Sequence, residues 1–320
     1  MATGASEVIF LALTSFYPQV CISAFVAGTG IASLISPLYY TVLATWSCAS
    51  PKTAILMTIP LPVLFLVFYA VLDKDYIANG SHSSPKEHTE VEYTMVGSTS
   101  DTTDQIVTAP QKLPCGEKLK ISWRILQFII PLILSFFAEY LTYSSVITTI
   151  AFPDSQVMPR DHFLFYSLSY TIGKFIGRSF LLMFACLSSE ATDFLKCDRT
   201  WVFAALEIAH LLFFLFESWY HFVGHIWIII SLCSTLGLVA GMIALHSAHA
   251  VARHVEPEER EFALGLVTVG NAVGAFLAGL VGLILEPYLT EKCVEHFSAS
   301  KEFCFTRHQN TTAWESNIHC

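Results

Sequence analysis

The sequence has few charged residues, and this scarcity excludes a soluble globular protein. Only 13% of the 320 residues are Asp, Glu, Lys or Arg, whereas 54% are hydrophobic. Soluble domains usually carry about a quarter charged residues, so these side chains are too few to cover a solvent-facing surface. Lys and Arg are the scarcer charges, with 17 against 26 acidic residues. They form no basic cluster of the kind that binds nucleic acid, so no nucleic-acid partner is expected.

Familiar catalytic and metal-binding motifs are also lacking. The sequence contains no nucleophile elbow, phosphate-binding loop, HExxH zinc motif or paired CxxC. His246 and His249 are three residues apart, but with no third ligand nearby we favour packing or pH sensing over a metal. We therefore expect neither an enzyme nor a bound cofactor or metal. An intramembrane enzyme is disfavoured because no catalytic constellation is present.

Apolar residues are concentrated in blocks of about 20, the length of a helix that crosses ~30 Å of hydrocarbon. The strands of a membrane barrel would be about half as long and would alternate in polarity. The predicted fold class is therefore all-α, a polytopic helical bundle of about eight spans in contact with the lipid bilayer. Hydropathy places the spans at 7–24, 28–46, 54–72, 124–150, 162–187, 201–219, 223–246 and 262–286.

A polar segment divides the spans into two groups. Residues 73–122 are rich in Ser, Thr, Pro and acidic residues, a composition typical of a disordered loop. This segment also has more lysines than any other connection, so the positive-inside rule places it in the cytosol. Residues 1–72 are predicted to be the remainder of an N-terminal half with three spans, and residues 73–122 the cytosolic loop. Residues 123–287 are predicted to be a C-terminal half with five spans, followed by a lumenal tail at 288–320.

Two features of the tail agree with a lumenal position. Asn310 begins an Asn-Thr-Thr sequon, and three cysteines, Cys293, Cys304 and Cys320, would lie in a disulfide-permissive compartment. We predict that Asn310 is glycosylated. Transporters often consist of two comparable helical halves, whereas three spans here precede the loop and five follow it. We therefore expect that the first spans, about three, are absent from this sequence.

Four segments resemble the battenin family of lysosomal membrane proteins, and they occur in the family's order. They are SEVIFLALTSFYP at 6–18, followed by AGTG at 27–30, then PLILSFFAEY at 131–140, the weaker GKFIGRS at 173–179 and EEREFA at 258–263. The resemblance extends from Glu7 to about Cys293. It implies a transporter-like bundle similar to the major-facilitator and equilibrative nucleoside transporter folds.

The resemblance also implies a function in lysosomal or late-endosomal membranes. The family has been linked to glycerophosphodiester efflux, basic amino acid handling, lysosomal pH and vesicle traffic. A second hypothesis is a non-transporting membrane scaffold that recruits trafficking proteins through residues 73–122. Within that loop, Tyr93-Thr94-Met95-Val96 resembles a tyrosine-based sorting signal. Tyr93 and Val96 would then bind clathrin adaptors in an extended conformation.

Charged residues inside the spans are the candidate site residues, because each costs about 2.5–3.5 kcal/mol on insertion scales and usually faces a cavity or a partner. Lys174 and Arg178 are four residues apart and share one helix face. Two cations on that face are suited to a small anionic or zwitterionic solute. Glu139, in the preceding span, is the natural counter-charge. We predict that these three residues line the solute site.

Other roles are open for several of these groups. Arg178 is also consistent with a structural ion pair or an anchor near the helix end. Glu7 lies at a span end, where a proton-coupling carboxylate is possible. Glu207 and His210 share a face, which favours a simple interhelical hydrogen bond.

Overall fold

The computed structural model describes residues 2–17, 20–43, 47, 49–71, 114–152, 155, 159–185, 199–297 and 304. Helices make up almost all of these residues, and no strand occurs among them. The predicted all-α class is confirmed.

The described residues form nine α-helices. Their bounds are α1 Ala2–Leu13, α2 Val20–Thr41, α3 Pro51–Leu56, α4 Pro60–Val71, α5 Cys115–Leu141, α6 Pro159–Ala185, α7 Thr200–Tyr220, α8 Ile226–His254 and α9 Arg260–Phe297. Short 3₁₀ turns at Thr14–Phe16 and Pro257–Glu259 flank α1 and α9. A π-helical turn, Thr142–Val146, and a 3₁₀ turn, Ile147–Thr149, continue α5.

Six helical stretches are long and apolar enough to cross a membrane, counted over the described residues alone. They are Val20–Tyr39, Lys52–Val71, Cys115–Thr149, Thr200–Tyr220, Ile226–His254 and Pro257–Phe297. The helix α6 is 27 residues long but more polar, and Glu7–Phe16 is a shorter apolar helix. Each of these eight helical stretches overlaps one of the eight predicted spans, and the protein is a polytopic helical membrane protein.

The boundary between the first two spans differs from the prediction. The first helical stretch ends at Phe16, and Tyr17 is extended, with φ −114° and ψ 166°. Pro18 follows Tyr17 in the sequence, and a proline disfavours helical conformation in the residue before it. The predicted first span, 7–24, therefore ends early. As a result, α2 begins at Val20 and contains Gly28, Thr29 and Gly30 in its interior rather than at its start.

Two further boundaries shift outward from the predicted organisation. Residues 115–122 were predicted as loop, but α5 begins at Cys115. Glu117 in the first turn favours a helix start there, because a negative charge is stabilising near a helix N-terminus. At the other end, α9 runs past Pro287 to Phe297, because a helix among other helices tolerates proline. Residues 288–297 of the predicted tail are thus helical.

Some predictions lie outside the described residues. These are the sorting signal at Tyr93 and Val96, the sequon at Asn310, and residues 73–113 of the predicted cytosolic loop. All of them stay predictions. Of the tail cysteines, Cys293 and Cys304 are joined by a disulfide bond.

Within the described residues, the core consists of two hydrophobic clusters that follow each other along the bundle. The helices α5, α6 and α7 each contribute residues to both clusters, so each helix passes from one cluster to the other. Charged side chains lie between the two clusters. The flanking pairs are Phe136 and Leu141 on α5, Leu181 and Tyr170 on α6, and Ala204 and Leu211 on α7, with Glu139, Lys174, Arg178 and Glu207 between them. The polar groups therefore occupy the middle depth of the bundle.

Glycines bring α6 and α8 into backbone contact. Gly173 and Gly177 on α6 face Gly237 and Gly241 on α8, and each set has the spacing of a GxxxG motif. A β-carbon added at Gly241 would lie 2.5 Å from the Lys174 carbonyl oxygen and 2.8 Å from the Arg178 amide nitrogen. Only glycine fits such an approach, so this contact sets the position of the α6 residues that carry the charges.

Three glycines of the last span pack closely against another helical stretch. Gly270, Gly274 and Gly282 lie against α5 and the π-helical turn that follows it. For Gly274, an added β-carbon would be 2.6 Å from the Ile133 carbonyl oxygen. By contrast, nothing lies within 4 Å of such an atom at Gly279.

The short connection between α7 and α8 contains a left-handed residue, His221, with φ 47°. Its backbone N–H donates to the Glu217 carbonyl oxygen at 2.8 Å and closes α7. The ring packs on His296 and Phe297 of α9, with centroid distances of 5.1 and 4.7 Å. Burial, and to a smaller extent His296, lowers the pKa of His221 to about 4.

Acidification is expected to weaken this packing. Because the pKa of His221 is lower in the folded protein than its ordinary value of about 6.5, the unfolded chain binds the proton more tightly. The contribution of neutral His221 to stability is present above pH ~6.5 and is lost as the pH falls towards about 4. His221→Asn retains a residue that tolerates the left-handed conformation. The melting temperature of this variant should fall less over that pH range than the melting temperature of the unchanged protein.

The exposed His225, which is the N-cap residue of α8, supplies the control. His225→Asn should keep the pH dependence of the unchanged protein, since Asn is a good N-cap. Equal pH dependence in the His221 and His225 variants would show that His221 is not the group that titrates.

Candidate functional site

Glu139 lies in the last turn of α5, directly before the π-helical turn Thr142–Val146. Its side chain is fully buried. Single π-helical turns inside α-helices are frequent at functional sites, because they change which side chains face inward. A polar residue at mid-depth therefore coincides with a local change of helical geometry.

The Glu139 carboxylate is paired with two groups from α6. The Lys174 ammonium forms a salt bridge with Glu139 Oε1, and the Tyr170 hydroxyl donates to the same oxygen. Lys174 Nζ also donates to the Tyr170 hydroxyl at 2.8 Å and lies 5.6 Å from the Tyr140 ring centre. Since Tyr170 and Lys174 are one turn apart on α6, both reach the same carboxylate. The charge of Lys174 is thus neutralised within the bundle.

Arg178 continues this face of α6 by one more turn but has a different partner. Its Nη1 donates to Thr29 Oγ1 on α2 at 2.6 Å, while its Nε is buried with no hydrogen-bond partner among the described residues. Within that same set, no carboxylate is paired with Arg178. The side chain lies seven residues before the end of α6 at Ala185, about two helical turns inside the helix. This arginine has donor capacity left for an anionic group.

Glu207 approaches the same region from α7. It is fully buried, and neither carboxyl oxygen has a hydrogen-bond partner within the described part of the chain. It is close enough to Glu139 and Lys174 to interact electrostatically with both. The predicted interhelical hydrogen bond is formed by His210 and not by Glu207. His210 Nε2 lies 3.0 Å from Thr235 Oγ1 on α8.

The remaining predicted residues have separate surroundings. Glu7 is exposed on α1, within electrostatic reach of the Tyr140 phenol, and its role in proton coupling stays a prediction. His246 stacks on Phe203 at 5.4 Å. His249 Nε2 lies 2.8 Å from Ser23 Oγ on α2. The two histidines therefore contact different helices.

Two members of the site were not predicted from the sequence. Tyr170 was not singled out because a tyrosine in an apolar helix is unremarkable, although its position four residues before Lys174 was a usable signal. Thr29 was noted only as part of AGTG. Its contact with Arg178 joins residues 149 positions apart, and no local pattern indicates such a pair.

Comparison with known proteins identifies the family. The family described as CLN3 protein matches residues 1–292. The chain belongs to the CLN3 protein family. Among relatives, battenin of Canis lupus familiaris is 27% identical over 292 residues, covering 90% of this chain and 63% of battenin. Protein BTN1 of Yarrowia lipolytica is 29% identical over 298 residues, covering 90% of this chain and 70% of that protein.

A third relative extends the comparison to another yeast. Protein BTN1 of Saccharomyces cerevisiae is 25% identical over 320 residues, covering 95% of this chain and 74% of that protein. The predicted resemblance to battenin is thus confirmed, and the chain spans somewhat less than two thirds of the length of canine battenin. No solved structure matches the chain at a significant level, so the predicted likeness to major-facilitator and equilibrative transporter folds stays a prediction.

Proposed function

We propose that this CLN3-family protein is a transporter of lysosomal and late-endosomal membranes, and not an enzyme. It would move a small anionic or zwitterionic solute, of which glycerophosphodiesters and basic amino acids are the candidates. Lysosomal pH and vesicle traffic would depend on this flux. The solute would bind at mid-depth in the bundle, where alternating-access transporters place their sites.

The observation that carries this proposal is the position of Arg178. It lies where α2, from the N-terminal helices, contacts α6, from the C-terminal helices. A β-carbon at Gly30 would be 3.1 Å from the Arg178 β-carbon, so the two helices approach closely at this point. A site between two groups of helices is exposed to one side or the other as the groups rock.

The charges around Arg178 support an anionic ligand group. Lys174 is already neutralised by Glu139, so its charge is not available in this arrangement. Arg178 holds only a neutral hydroxyl among the described residues and keeps an unpartnered Nε. A phosphodiester or carboxylate offers two oxygens to such a guanidinium, which binds them in a fork geometry.

The proposed compartment has its own support. The disulfide between Cys293 and Cys304 is of the kind that persists in oxidising compartments such as the lumen of the secretory route. A glycan on Asn310 and adaptor binding at Tyr93 and Val96 belong to the same proposal. Both would accompany delivery to lysosomes.

Arg178→Ala is expected to weaken solute binding by about 10- to 150-fold, because hydrogen bonds to charged groups contribute about 1.5–3 kcal/mol. The measurement is uptake of radiolabelled glycerophosphocholine and, separately, of lysine into vesicles reconstituted with the purified chain. Arg178→Lys should recover only part of the affinity, since an ammonium lacks the bidentate fork.

Lys120 provides the matched control, because it is an exposed cation near the start of α5. Lys120→Ala should transport both probes like the unchanged protein. Protein amount and melting temperature are measured alongside. If Arg178→Ala folds normally and transports both probes with unchanged affinity, the site assignment is wrong.

A further inference from the structure

Glu207 is a buried carboxyl group that nothing in the described part of the chain satisfies. Its side chain is fully buried, and both Oε1 and Oε2 are without a hydrogen-bond partner there. The other buried glutamate of α7, Glu217, differs, because its Oε2 accepts the Val223 backbone N–H at 3.0 Å. A group that merely stabilised the packing of α7 would be expected to have such a partner.

An ionised carboxylate in this position would be very costly. Moving a lone charge into the protein interior without pairing costs many kcal/mol, and groups in such places take the neutral form instead. Protonated Glu207 would carry no charge and would leave the nearby Glu139–Lys174 salt bridge balanced. Deprotonated Glu207 would place two carboxylates beside one ammonium.

The charged neighbours of Glu207 come from several helices. Glu139 on α5 and Lys174 on α6 interact with it electrostatically, and Arg178 acts on Lys174 from the same face of α6. On α7 itself, His210 is engaged with Thr235 of α8. One turn before Glu207, Phe203 covers His246 of α8.

Glu139 contributes a second unsatisfied atom to this region. Its Oε1 receives both Lys174 and Tyr170, whereas its Oε2 is buried without a partner among the described residues. Two carboxyl groups with three unpartnered oxygens thus share one lysine. Pairs of carboxyls whose environments differ in this way divide into a protonated and an ionised member.

We propose that Glu207 is a proton-carrying residue that couples solute movement to proton movement, with the Glu139–Lys174 pair as its switch. This inference rests on the proposed transport function and assigns its coupling ion. Glu207 would replace the exposed Glu7 in the role predicted for that residue.

The proton step needs only water. When the bundle opens to the less acidic side, the O–H bond of the Glu207 carboxylic acid breaks and the proton passes to a water molecule. The remaining carboxylate competes with Glu139 for the Lys174 ammonium. When the bundle opens to the acidic side, a hydronium ion returns a proton to Glu207 and the Glu139–Lys174 pair is restored. The state with two carboxylates and one ammonium is energetically unfavourable in the closed bundle. The bundle therefore closes readily only when Glu207 is protonated or a cationic group is bound.

The first test reads the protonation state directly and does not depend on transport. Infrared spectroscopy of the full chain in vesicles should show the C=O stretching band of a buried protonated carboxylic acid at neutral pH. Glu207→Gln should reduce the intensity of that band, while Glu261→Gln, at an exposed glutamate of α9, should leave it unchanged. A band of equal intensity in Glu207→Gln and in the unchanged protein, or no band in the unchanged protein, overturns the proposal.

The second test separates coupling from solute binding, with glycerophosphocholine as the probe. Glu207→Gln should lose accumulation driven by a pH gradient but keep exchange of the probe across the membrane at equal pH. Loss of both with normal folding would mean that Glu207 binds the solute, which overturns the proton assignment. If the unchanged protein moves no probe at all, the proposed function fails for that solute, whereas the infrared result still decides the protonation of Glu207.

Discussion

Lys174→Met is expected to destabilise the folded protein by about 3–5 kcal/mol, because it leaves the Glu139 carboxylate buried without its counter-charge. The Tyr170 hydroxyl would still donate to Glu139, but one neutral hydrogen bond does not replace an ion pair. The effect should appear as a lower free energy of unfolding in mixed micelles titrated with a denaturing detergent.

The double variant Glu139→Gln/Lys174→Met makes this test specific. Both side chains keep their approximate volume while the two charges are removed together, and replacing a buried pair in this way is often neutral or stabilising. The double variant should therefore be more stable than Lys174→Met alone. If the two single changes and the double change add without coupling, the salt bridge contributes nothing to the fold.

Gly241→Leu is expected to prevent native packing of α6 on α8. The first added carbon would already lie 2.5 Å from the Lys174 carbonyl oxygen and 2.9 Å from the Gly177 α-carbon. Because these neighbours are backbone atoms, a side-chain rotation cannot relieve the overlap. The cost should exceed the ~1–3 kcal/mol of ordinary overpacking, and we expect little monodisperse protein by size-exclusion chromatography.

Gly279 is a matched control on α9, where an added β-carbon meets nothing within 4 Å. Gly279→Leu should give normal yield and elution, since leucine is as apolar as the surrounding lipid. Similar yields for Gly241→Leu and Gly279→Leu would contradict the close helix contact that positions Lys174 and Arg178.

The helices were largely predictable because their cause is local. Each span is a run of apolar side chains long enough for the bilayer, and this can be counted in the sequence. The boundaries were less predictable where a single residue decides them. Proline at position 18 explains why the first span ends at Phe16, whereas the proline within α9 is tolerated and the helix continues to Phe297. Hydropathy alone does not distinguish these two outcomes.

The residues of the site were predictable from the sequence, but the contacts between them were not. The cost of charge in lipid singled out Glu139, Lys174 and Arg178, and helical spacing placed the last two on one face. The structure separates them by partner, since Lys174 pairs with Glu139 while Arg178 reaches Thr29. Glu207 was expected to form an ordinary hydrogen bond, yet it has none among the described residues.

The sequence by itself determined that this chain is a helical membrane protein of the battenin kind, because span length, the scarcity of charge and ordered motifs are properties of the chain in one dimension. Only the tertiary structure decided which charges neutralise each other and which are left unsatisfied. Those outcomes depend on contacts between helices far apart in sequence, such as Thr29 with Arg178 and the glycine contact of α6 with α8. Local composition carries no information about distances of that kind.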